Sequence, residues 1–366
     1  MTDRERLILL NLVPEIGSLR LQRLLDAFAS LERVWEAGSD ALLGVEGIGP
    51  VLAQRIIEYR AQPARLQDEL AQAERHGCAV LTRVDAGYPA PLREIHDPPL
   101  ALYMKGAWDA QDAAAVAIVG SRHASAYGLS MAERLAVGLA ERGITVISGL
   151  ARGIDAAAHR GALKAGGRTL AVLGHGLAQI YPPEHEPLAA HVAARGALIA
   201  EYAMGMPPVA ENFPRRNRLI SGLALGVVVV EAAGRSGALI TADCALEQGR
   251  EVFAVPGRAD AATSEGTHRL LKQGAALVTT VEDILEELPV LVEQGPATDA
   301  AAGRAALGLV DSADRLLSQF SGDQPYHLET LAEKTGWTIP ACAAALLQLE
   351  LKHAVKQLPG QRFVRT

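Results

Sequence analysis

Cysteines and long apolar runs are scarce in this sequence. The 366 residues include three cysteines, Cys78, Cys244 and Cys342. Their odd number and wide separation argue against a disulfide framework and against a local cysteine-ligated metal site. No uninterrupted apolar stretch of about 18 residues occurs, and charged residues stand in the opening MTDRERLILL, where the apolar core of a signal peptide would begin. We therefore expect a soluble cytoplasmic protein without a membrane partner.

Motifs of the common catalytic classes are also missing. The sequence has no G-x-x-x-x-G-K-[ST] phosphate loop, no H-E-x-x-H and no G-x-S-x-G. Asp155 and His159 stand four residues apart, a spacing that suits acid–base chemistry or a metal ligand pair. Helix capping by Asp155 and local bonding of His159 is the more ordinary interpretation. We predict no catalytic residue, no metal site and no enzymatic activity.

The net charge at first argues against a nucleic-acid partner. The formal charge is −7, from 35 Lys and Arg against 42 Asp and Glu. The acidic excess lies outside two segments, however, because residues 116–286 hold 16 residues of each sign and residues 311–366 hold six of each. The total charge therefore does not exclude a basic groove within the central segment.

Breaks in periodicity divide the chain into three units. The Pro-containing stretch 97–112 precedes the first strongly apolar run, and the Ala- and Gly-rich stretch 293–308 is typical of a linker. We predict a helical N-terminal domain over 1–80, a connector over 81–110, a central domain over 111–288, a linker over 289–310 and a C-terminal domain over 311–366.

Short apolar runs alternate with helical patterns in the central domain. The predicted strands are 115–119, 144–147, 169–173, 197–200, 227–230, 252–254 and 277–278. Segments between most of them, such as 129–141 and 240–247, repeat apolar residues with a period near 3.6. This alternation predicts an α/β fold with a parallel sheet and helices on both faces. Ligands of such folds bind beyond the carboxyl ends of the strands.

Glycine, serine and arginine cluster after four of the predicted strands, in the segments 120–122, 148–155, 174–176 and 234–237. Parallel strands bring these loops to one edge of the sheet. There, glycine lets the backbone approach a ligand, and a capped helix start favours an anion. Each loop alone is ordinary strand-to-helix turn chemistry, but four together, three of them with arginine, favour phosphate. The first turn, starting Gly120-Ser121-Arg122-His123, lacks G-x-G-x-x-G, so no dinucleotide cofactor is expected.

Three arginines fall within four positions of the segment 213–218. A helix starting here places Arg215 and Arg218 on one face and turns Arg216 about 100° away. Most charge runs are solvated helix faces. The neighbouring Phe213, however, offers an aromatic platform beside cations, which is what stacking of an unpaired base requires.

Seven collinear blocks carry a family resemblance. They are VAIVGSR at 116–122, ISGLARGIDAAAH at 147–159, LAVLGHGL at 170–177, IYPPEH at 180–185, NFPRRNRLISGL at 212–223, VVVVEAAGRSGALITADCALEQGREVFAVPG at 227–257 and SEGTHRLLKQGA at 264–275. The chain resembles the DprA (Smf) family of DNA-processing proteins. The resemblance implies a Rossmann-like domain that binds and protects single-stranded DNA, dimerises, and loads the RecA recombinase during natural transformation, with no catalytic activity required.

The resemblance also assigns roles by position. Phe213 matches a residue that contacts a base. The other candidate DNA-binding residues are Gly120, Ser121 and Arg122 in a loop that grips the backbone, Ser148, Gly149, Arg152 and Gly153 after the second strand, Arg215, Asn217 and Arg218 in a basic turn, and Ser236, Gly237 and Leu239 in a loop that closes the groove. At position 238, where some relatives have serine, this chain has alanine.

A nucleotide phosphoribohydrolase of Rossmann-like architecture is the alternative from a different class. That class has a P-G-G-x-G-T-x-x-E loop after a late strand, whereas residues 231–237 read EAAGRSG. The expected carboxylate is therefore missing from this loop.

The flanking units carry weaker signals. Residues 43–50 and the helix predicted over 51–59 resemble a helix-hairpin-helix, whose turn offers N–H groups to a DNA phosphate. Glu46 lies inside that turn, so we expect a protein-contact or accessory role. Residues 311–366 have the element order of a winged helix. Its second helix, 338–348, offers Gln348 and little else that reads bases, which favours a protein-interaction module.

Overall fold

The computed structural model describes residues 1–288, 291, 320, 324, 326–335, 342, 346, 349, 355–358 and 362–365. These residues belong to two compact units, Met1–Gly295 and Pro296–Thr366. Within the described ranges, no helix is both long enough and apolar enough to cross a bilayer. The predicted linker 289–310 lies outside the described residues except for residue 291.

The first unit begins with a series of helices. They are α1 (Asp3–Leu12), α2 (Ser18–Phe28), α3 (Leu31–Glu36), α4 (Ser39–Leu43), α5 (Pro50–Arg60) and α6 (Ala64–Arg75). Thr2 and Glu5 form a capping box at the start of α1. Buried aliphatic residues from successive helices, among them Leu10, Leu24 and Ile56, pack into one core. An N-terminal helical region is therefore present, as the sequence predicts.

The turns before α2 and α5 have equivalent conformations, and two ion pairs connect them. Glu15 and Gly47 occupy matching positions with positive φ angles of 73° and 83°. Arg55 on α5 pairs with Glu15 at 2.8 Å between Nη1 and Oε1, and Arg23 on α2 pairs with Glu46 at 3.6 Å between Nη2 and Oε1. Each turn thus holds a glutamate that is neutralised by an arginine of the other hairpin.

A sheet of nine strands follows within the described part of this unit. Its members are β1 (Cys78–Thr82), β2 (Ala101–Gly106), β3 (Ala115–Val119), β4 (Thr145–Ser148), β5 (Thr169–Leu173), β6 (Ala197–Ala200), β7 (Gly226–Val229), β8 (Glu251–Ala254) and β9 (Ala276–Leu277). The order is β1-β2-β6-β5-β4-β3-β7-β8-β9. Strands β3 to β9 are parallel neighbours, within one residue of their predicted bounds. Strand β2 pairs antiparallel with β6, and β1 pairs antiparallel with β2. Strand β2 lies in the segment predicted as a connector.

Helices cover both faces of the sheet, which confirms the predicted α/β class. They are α7 (Ala90–Arg93), α8 (Ala126–Glu141), α9 (Ile154–Lys164), α10 (Glu186–Arg195), α11 (Asn212–Leu223), α12 (Gly237–Glu247), α13 (Glu265–Lys272) and α14 (Val281–Glu287). Side chains alternate across β3. Val116 and Ile118 pack with α8 and α9 on one face, and Ala117 and Val119 pack with α11 and α12 on the other.

The strand order creates a switch point in the middle of the sheet. From β3 the chain moves outward through β4, β5 and β6, then returns to place β7 on the other side of β3 and continues to β8 and β9. The helices that follow β3 and β7 therefore lie on opposite faces. A crevice opens between their starts, at the carboxyl ends of these two strands.

The second unit contributes β10 (Tyr326–His327), α15 (Leu328–Thr335), β11 (Val355–Leu358) and β12 (Arg362–Arg365). These strands form an antiparallel sheet in the order β10-β12-β11. Leu331, Cys342, Leu346 and Phe363 are buried together. In the predicted C-terminal domain, residues 311–319 and 336–341 lie outside the described residues. Within the predicted second helix, 338–348, the structure describes Cys342 and Leu346.

Candidate nucleic-acid interface

A cleft of about 680 Å³ occupies the switch point. Its lining includes Gly120, Ser121 and Arg122 after β3, Ala151 and Asp155 after β4, Tyr181 after β5, Phe213, Arg216 and Asn217 on α11, and Arg235, Ser236 and Gly237 after β7. The structure thus brings together residues from three of the four predicted loop segments and from the arginine-rich helix. The fourth segment, 174–176, does not line the cleft, and Tyr181 from the same connection does.

The loop after β3 is held in place by backbone contacts. A Cβ at Gly120 would lie 2.6 Å from the Ile154 Cγ1 atom, so this position needs glycine. The Ser121 N–H donates to the Glu231 carbonyl at 2.8 Å, and the Ser121 carbonyl accepts from the Ile154 N–H at 3.2 Å. The exposed Arg122 side chain therefore extends from an anchored backbone.

Most residues of the loop after β4 maintain the backbone conformation of the loop and do not face the cleft. Ser148 is buried and donates to the Ile118 carbonyl at 2.6 Å, and Gly149 is also buried. Gly153 has a φ of 73°, and a Cβ there would lie 2.2 Å from the Ser121 carbonyl. Exposed Arg152 forms an ion pair with Glu184, at 2.5 Å between Nε and Oε1.

Two aromatic rings and an arginine meet on one wall of the cleft. The Arg122 guanidinium carbon lies 5.3 Å from the Phe213 ring centroid, within cation–π range. The Tyr181 ring centroid lies 5.9 Å from that of Phe213. Phe213 is half-buried, so part of its ring remains accessible. This wall can stack a flat group and neutralise an anion beside it.

Arg216 is a cleft residue that the candidate set omits. It is 4 % exposed and donates through Nη1 to the carbonyls of Gly149, at 3.1 Å, and Val172. Burial lowers the pKa of Arg216 to about 10. Helical periodicity could have indicated this burial, because Asn212, Leu219 and Ile220 at i−4, i+3 and i+4 are all buried.

Asp155 shares this buried site. Its Oδ2 atom accepts the N–H groups of Gly149 at 3.1 Å and Ala151 at 3.3 Å. Burial raises the pKa of Asp155, and the positive charge of Arg216 opposes that shift. The buried carboxylate therefore holds the loop after β4, and Gly153 is the N-cap position of α9.

The remaining α11 residues have different surroundings. Asn217 donates through Nδ2 to the Gly237 carbonyl at 3.1 Å, which ties α11 to the start of α12. Arg215 is exposed. Arg218 is not among the cleft-lining residues. It pairs with Asp97 at 2.7 Å and Glu201 at 2.5 Å.

The loop after β7 closes the cleft with small residues. Ser236 is the N-cap of α12 and accepts from the Ala238 N–H at 3.3 Å. Gly237 faces open space, since nothing lies within 4 Å of a Cβ built there. Leu239 is buried in the core and supports the helix from behind. Arg235, outside the candidate set, is exposed and lines the cleft.

The balance of charge in the cleft is positive. Among the described residues, its lining holds three arginines, Arg122, Arg216 and Arg235, against one carboxylate, Asp155. No described carboxylate lies within 4.0 Å of the charged nitrogens of Arg122, Arg215 or Arg235. A neutral domain therefore concentrates unpaired cations at its switch point.

Histidine and carboxylate groups near the cleft are engaged in the fold. His159 is fully buried, with Nδ1 at 2.7 Å from the Thr169 hydroxyl. Glu231 is buried and accepts hydrogen bonds from Ser125. In the described part of the chain, no group of three or more His, Cys, Asp or Glu residues could hold a metal ion.

Fold and cleft together define a Rossmann-like α/β protein whose crevice lies at the switch point of its sheet. Comparison with family models narrows this class. Residues 79–289 match DNA recombination-mediator protein A, residues 300–361 match the DprA winged helix domain, and residues 7–67 match a helix-hairpin-helix motif. The chain belongs to the DprA (Smf) family of DNA recombination mediators, which confirms the resemblance read from its seven blocks and the winged-helix prediction.

Individual relatives agree with this membership. Protein Smf of Escherichia coli is 42% identical over 315 residues, which cover 84% of this chain and 82% of that protein. DNA processing protein DprA of Streptococcus pneumoniae is 45% identical over 204 residues, covering 56% of this chain and 72% of the relative.

Solved structures agree as well. The crystal structure of DprA from S. pneumoniae superposes with a TM-score of 0.69 at 36% identity, covering 78% of this chain and 98% of that one. DNA processing protein A of Helicobacter pylori, described for its single-stranded DNA binding mode, has a TM-score of 0.52 at 28% identity, covering 58% and 95% of the two chains.

Proposed function

We propose that this protein binds single-stranded DNA in the switch-point cleft, protects it, and loads the RecA recombinase onto it during natural transformation. The observation that carries the proposal is Arg122 above the Phe213 ring at 5.3 Å, in a cleft rich in unpaired arginine. An aromatic face next to a cation suits an unstacked base and its phosphate.

The geometry supports a preference for single strands. Phe213 and Tyr181 can stack on a base only when that base is free of its complementary strand. Arg122 and Arg235 project from loops on either side of the switch point and can neutralise successive phosphates. Stacking and phosphate neutralisation do not distinguish one base from another, so we expect little preference for DNA sequence.

Membership of a recombination-mediator family and the single-stranded DNA binding described for the H. pylori relative support the same proposal. The homodimer through the Rossmann-like domain, the RecA contact and the cytoplasmic location are proposed on family grounds. We assign no enzymatic activity, because Asp155 and Glu231 are engaged in buried hydrogen bonds. Incubation with AMP should release no adenine, and release that Asp155→Asn abolishes would restore the phosphoribohydrolase alternative.

A binding titration tests the proposal. Wild type, Arg122→Ala and Arg75→Ala are compared on single- and double-stranded oligonucleotides at two salt concentrations. Arg75 is a matched control, since it is exposed, unpaired among the described residues, and lies just before β1, whose start is at the amino edge of the parallel strands.

Wild type should bind the single strand more tightly and lose affinity as salt rises. Arg122→Ala should reduce the slope of log K against log salt by about 0.7, the contribution of one phosphate contact. Arg75→Ala should match wild type. A salt-independent affinity, or equal effects of the two variants, would contradict the proposal. Stimulation of RecA filament formation on the same DNA tests the loading step, and Arg122→Ala should impair it.

A further inference from the structure

A second groove, of about 650 Å³, lies between α9 and α10. Four basic side chains line it, namely Arg160, Lys164, His191 and Arg195, together with one carboxylate, Glu184. Leu163 and Leu188 also line it and are at least half-buried, so its surface combines apolar and cationic groups.

The carboxylate that lines this groove is already paired, and so is the lysine that lines it. Glu184 pairs with Arg152 at 2.5 Å, and Lys164 pairs with Glu133 at 2.7 Å. Arg160 and Arg195 are exposed, and no described residue forms an ion pair with either. Two uncompensated guanidinium groups therefore remain in the groove.

Helix-dipole effects do not account for both arginines. Arg195 is the last residue of α10, where a cation complements the negative end of a helix. Arg160 lies in the interior of α9 and gains nothing from that effect. Both guanidinium groups are, however, available to an anion that binds across the two helices.

The groove adjoins the switch-point cleft through one residue. Tyr181 lines the cleft, Glu184 lines the groove, and the Arg152 side chain interacts with both. Both helices start at the carboxyl edge of the parallel strands and run toward the amino edge. The groove therefore leads away from the cleft along α9, whose 11 residues span about 16 Å.

We propose that the α9–α10 groove is a second binding site for the DNA backbone, and that a strand leaving the cleft passes Arg152 and places its phosphates against Arg160 and Arg195. The inference rests on the proposed function, because it extends the path of the same strand. Guanidinium groups suit phosphate, since their planar donors pair with two phosphate oxygens at once.

Oligonucleotide length separates the two sites. Oligo-dT of about 5 nucleotides is short enough to fill the cleft alone, and oligo-dT of about 20 nucleotides exceeds the site size of about 4–16 nucleotides known for single-strand-binding OB folds. The double variant Arg160→Ser/Arg195→Ser is compared with wild type and with Arg33→Ser/Arg75→Ser. The control pair is also exposed and unpaired among the described residues, and removes the same charge from the N-terminal helices.

On the long oligonucleotide, the groove variant should reduce the salt slope by about 1.4, because two phosphate contacts are lost. Its affinity for the short oligonucleotide should equal that of wild type, which also shows that the variant is folded. The control pair should match wild type on both lengths. An unchanged slope on the long strand, or equal losses in the groove and control variants, overturns the inference while leaving the cleft intact. A wild type that binds neither length overturns the proposed function itself.

Discussion

Glu231 accepts two hydrogen bonds from Ser125, from its backbone N–H at 2.9 Å and from its hydroxyl at 2.5 Å. Ser125 is the N-cap of α8, the helix that follows the first parallel strand. A Cβ at Gly128 would lie 2.5 Å from the Glu231 carboxyl carbon, so glycine makes room for this carboxylate. The carboxylate lies at the helix start where dinucleotide-binding proteins of Rossmann architecture hold a pyrophosphate.

Removing this carboxylate should destabilise the fold. In Glu231→Ala the N–H and hydroxyl of Ser125 lose a charged acceptor, which should lower the free energy of unfolding by about 1–3 kcal/mol. Urea unfolding measures the change. Glu247→Ala is the control, because Glu247 is exposed and has no ion pair among the described residues. Equal stability of the two variants would show that the Glu231–Ser125 contact contributes little.

Phe213→Leu should weaken DNA binding in a different way from Arg122→Ala. Loss of one stacking surface costs about 1–3 kcal/mol of binding free energy, and no charge is removed. Affinity for single-stranded DNA should therefore fall while the salt slope stays at the wild-type value. Titrations at several salt concentrations separate the two effects. A reduced slope in Phe213→Leu would mean that the ring acts by positioning Arg122.

Arg216 and Asp155 should be coupled in stability. Arg216→Met leaves the Gly149 and Val172 carbonyls without their donor and the buried carboxylate without its neighbouring cation, which should lower the free energy of unfolding by about 1–3 kcal/mol. Asp155→Asn keeps an oxygen that can accept the loop N–H groups. The double variant should therefore lose less stability than the two single losses combined. Urea unfolding of all four proteins gives the coupling free energy, and purely additive losses would contradict the coupling.

His159 should make stability fall in acid. Burial lowers the pKa of His159 to about 3, with His185 and Arg216 adding to the shift, whereas an unfolded histidine titrates near pH 6.5. The unfolded chain therefore binds the extra proton first. The contribution of His159 is complete above about pH 6.5 and is lost toward pH 3, by up to about 1.4 kcal/mol per pH unit. Unfolding free energies at pH 7 and 5 should differ less in His159→Gln, and parallel profiles would exclude this role.

Arg218→Ala should affect stability more than DNA affinity. Its guanidinium bridges Asp97 and Glu201, and burial raises the pKa of Glu201 while Arg218 opposes that shift. The variant should unfold at a lower urea concentration than wild type. The slope of log K against log salt for single-stranded DNA should be steeper than that of Arg122→Ala and close to the wild-type slope. A slope reduced as far as in Arg122→Ala would instead place Arg218 in the DNA path.

Local pattern was enough for much of the fold. Each parallel strand could be placed to within one residue, because a strand buried on both faces is a continuous apolar run between turn residues. The loops that line the cleft were predictable for the same reason. Glycine and serine directly after such runs indicate where the chain turns, and parallel strands bring those turns to one edge.

Contacts between segments that are distant in sequence cannot be predicted from local pattern. The sequence does not indicate strand β2, because the place of this strand beside β6 depends on pairing across more than 90 residues. The sequence does not distinguish the three arginines at 215, 216 and 218. In the structure, Arg215 is exposed, Arg216 donates to two backbone carbonyls, and Arg218 pairs with two carboxylates. Arg152 likewise meets Glu184 from another loop. Sequence by itself determined the family, the parallel sheet and the loops of the site, since these follow from local periodicity and motif. Only the tertiary structure decided which arginine remains unpaired, because the partner of a charge is set by strand order and helix packing.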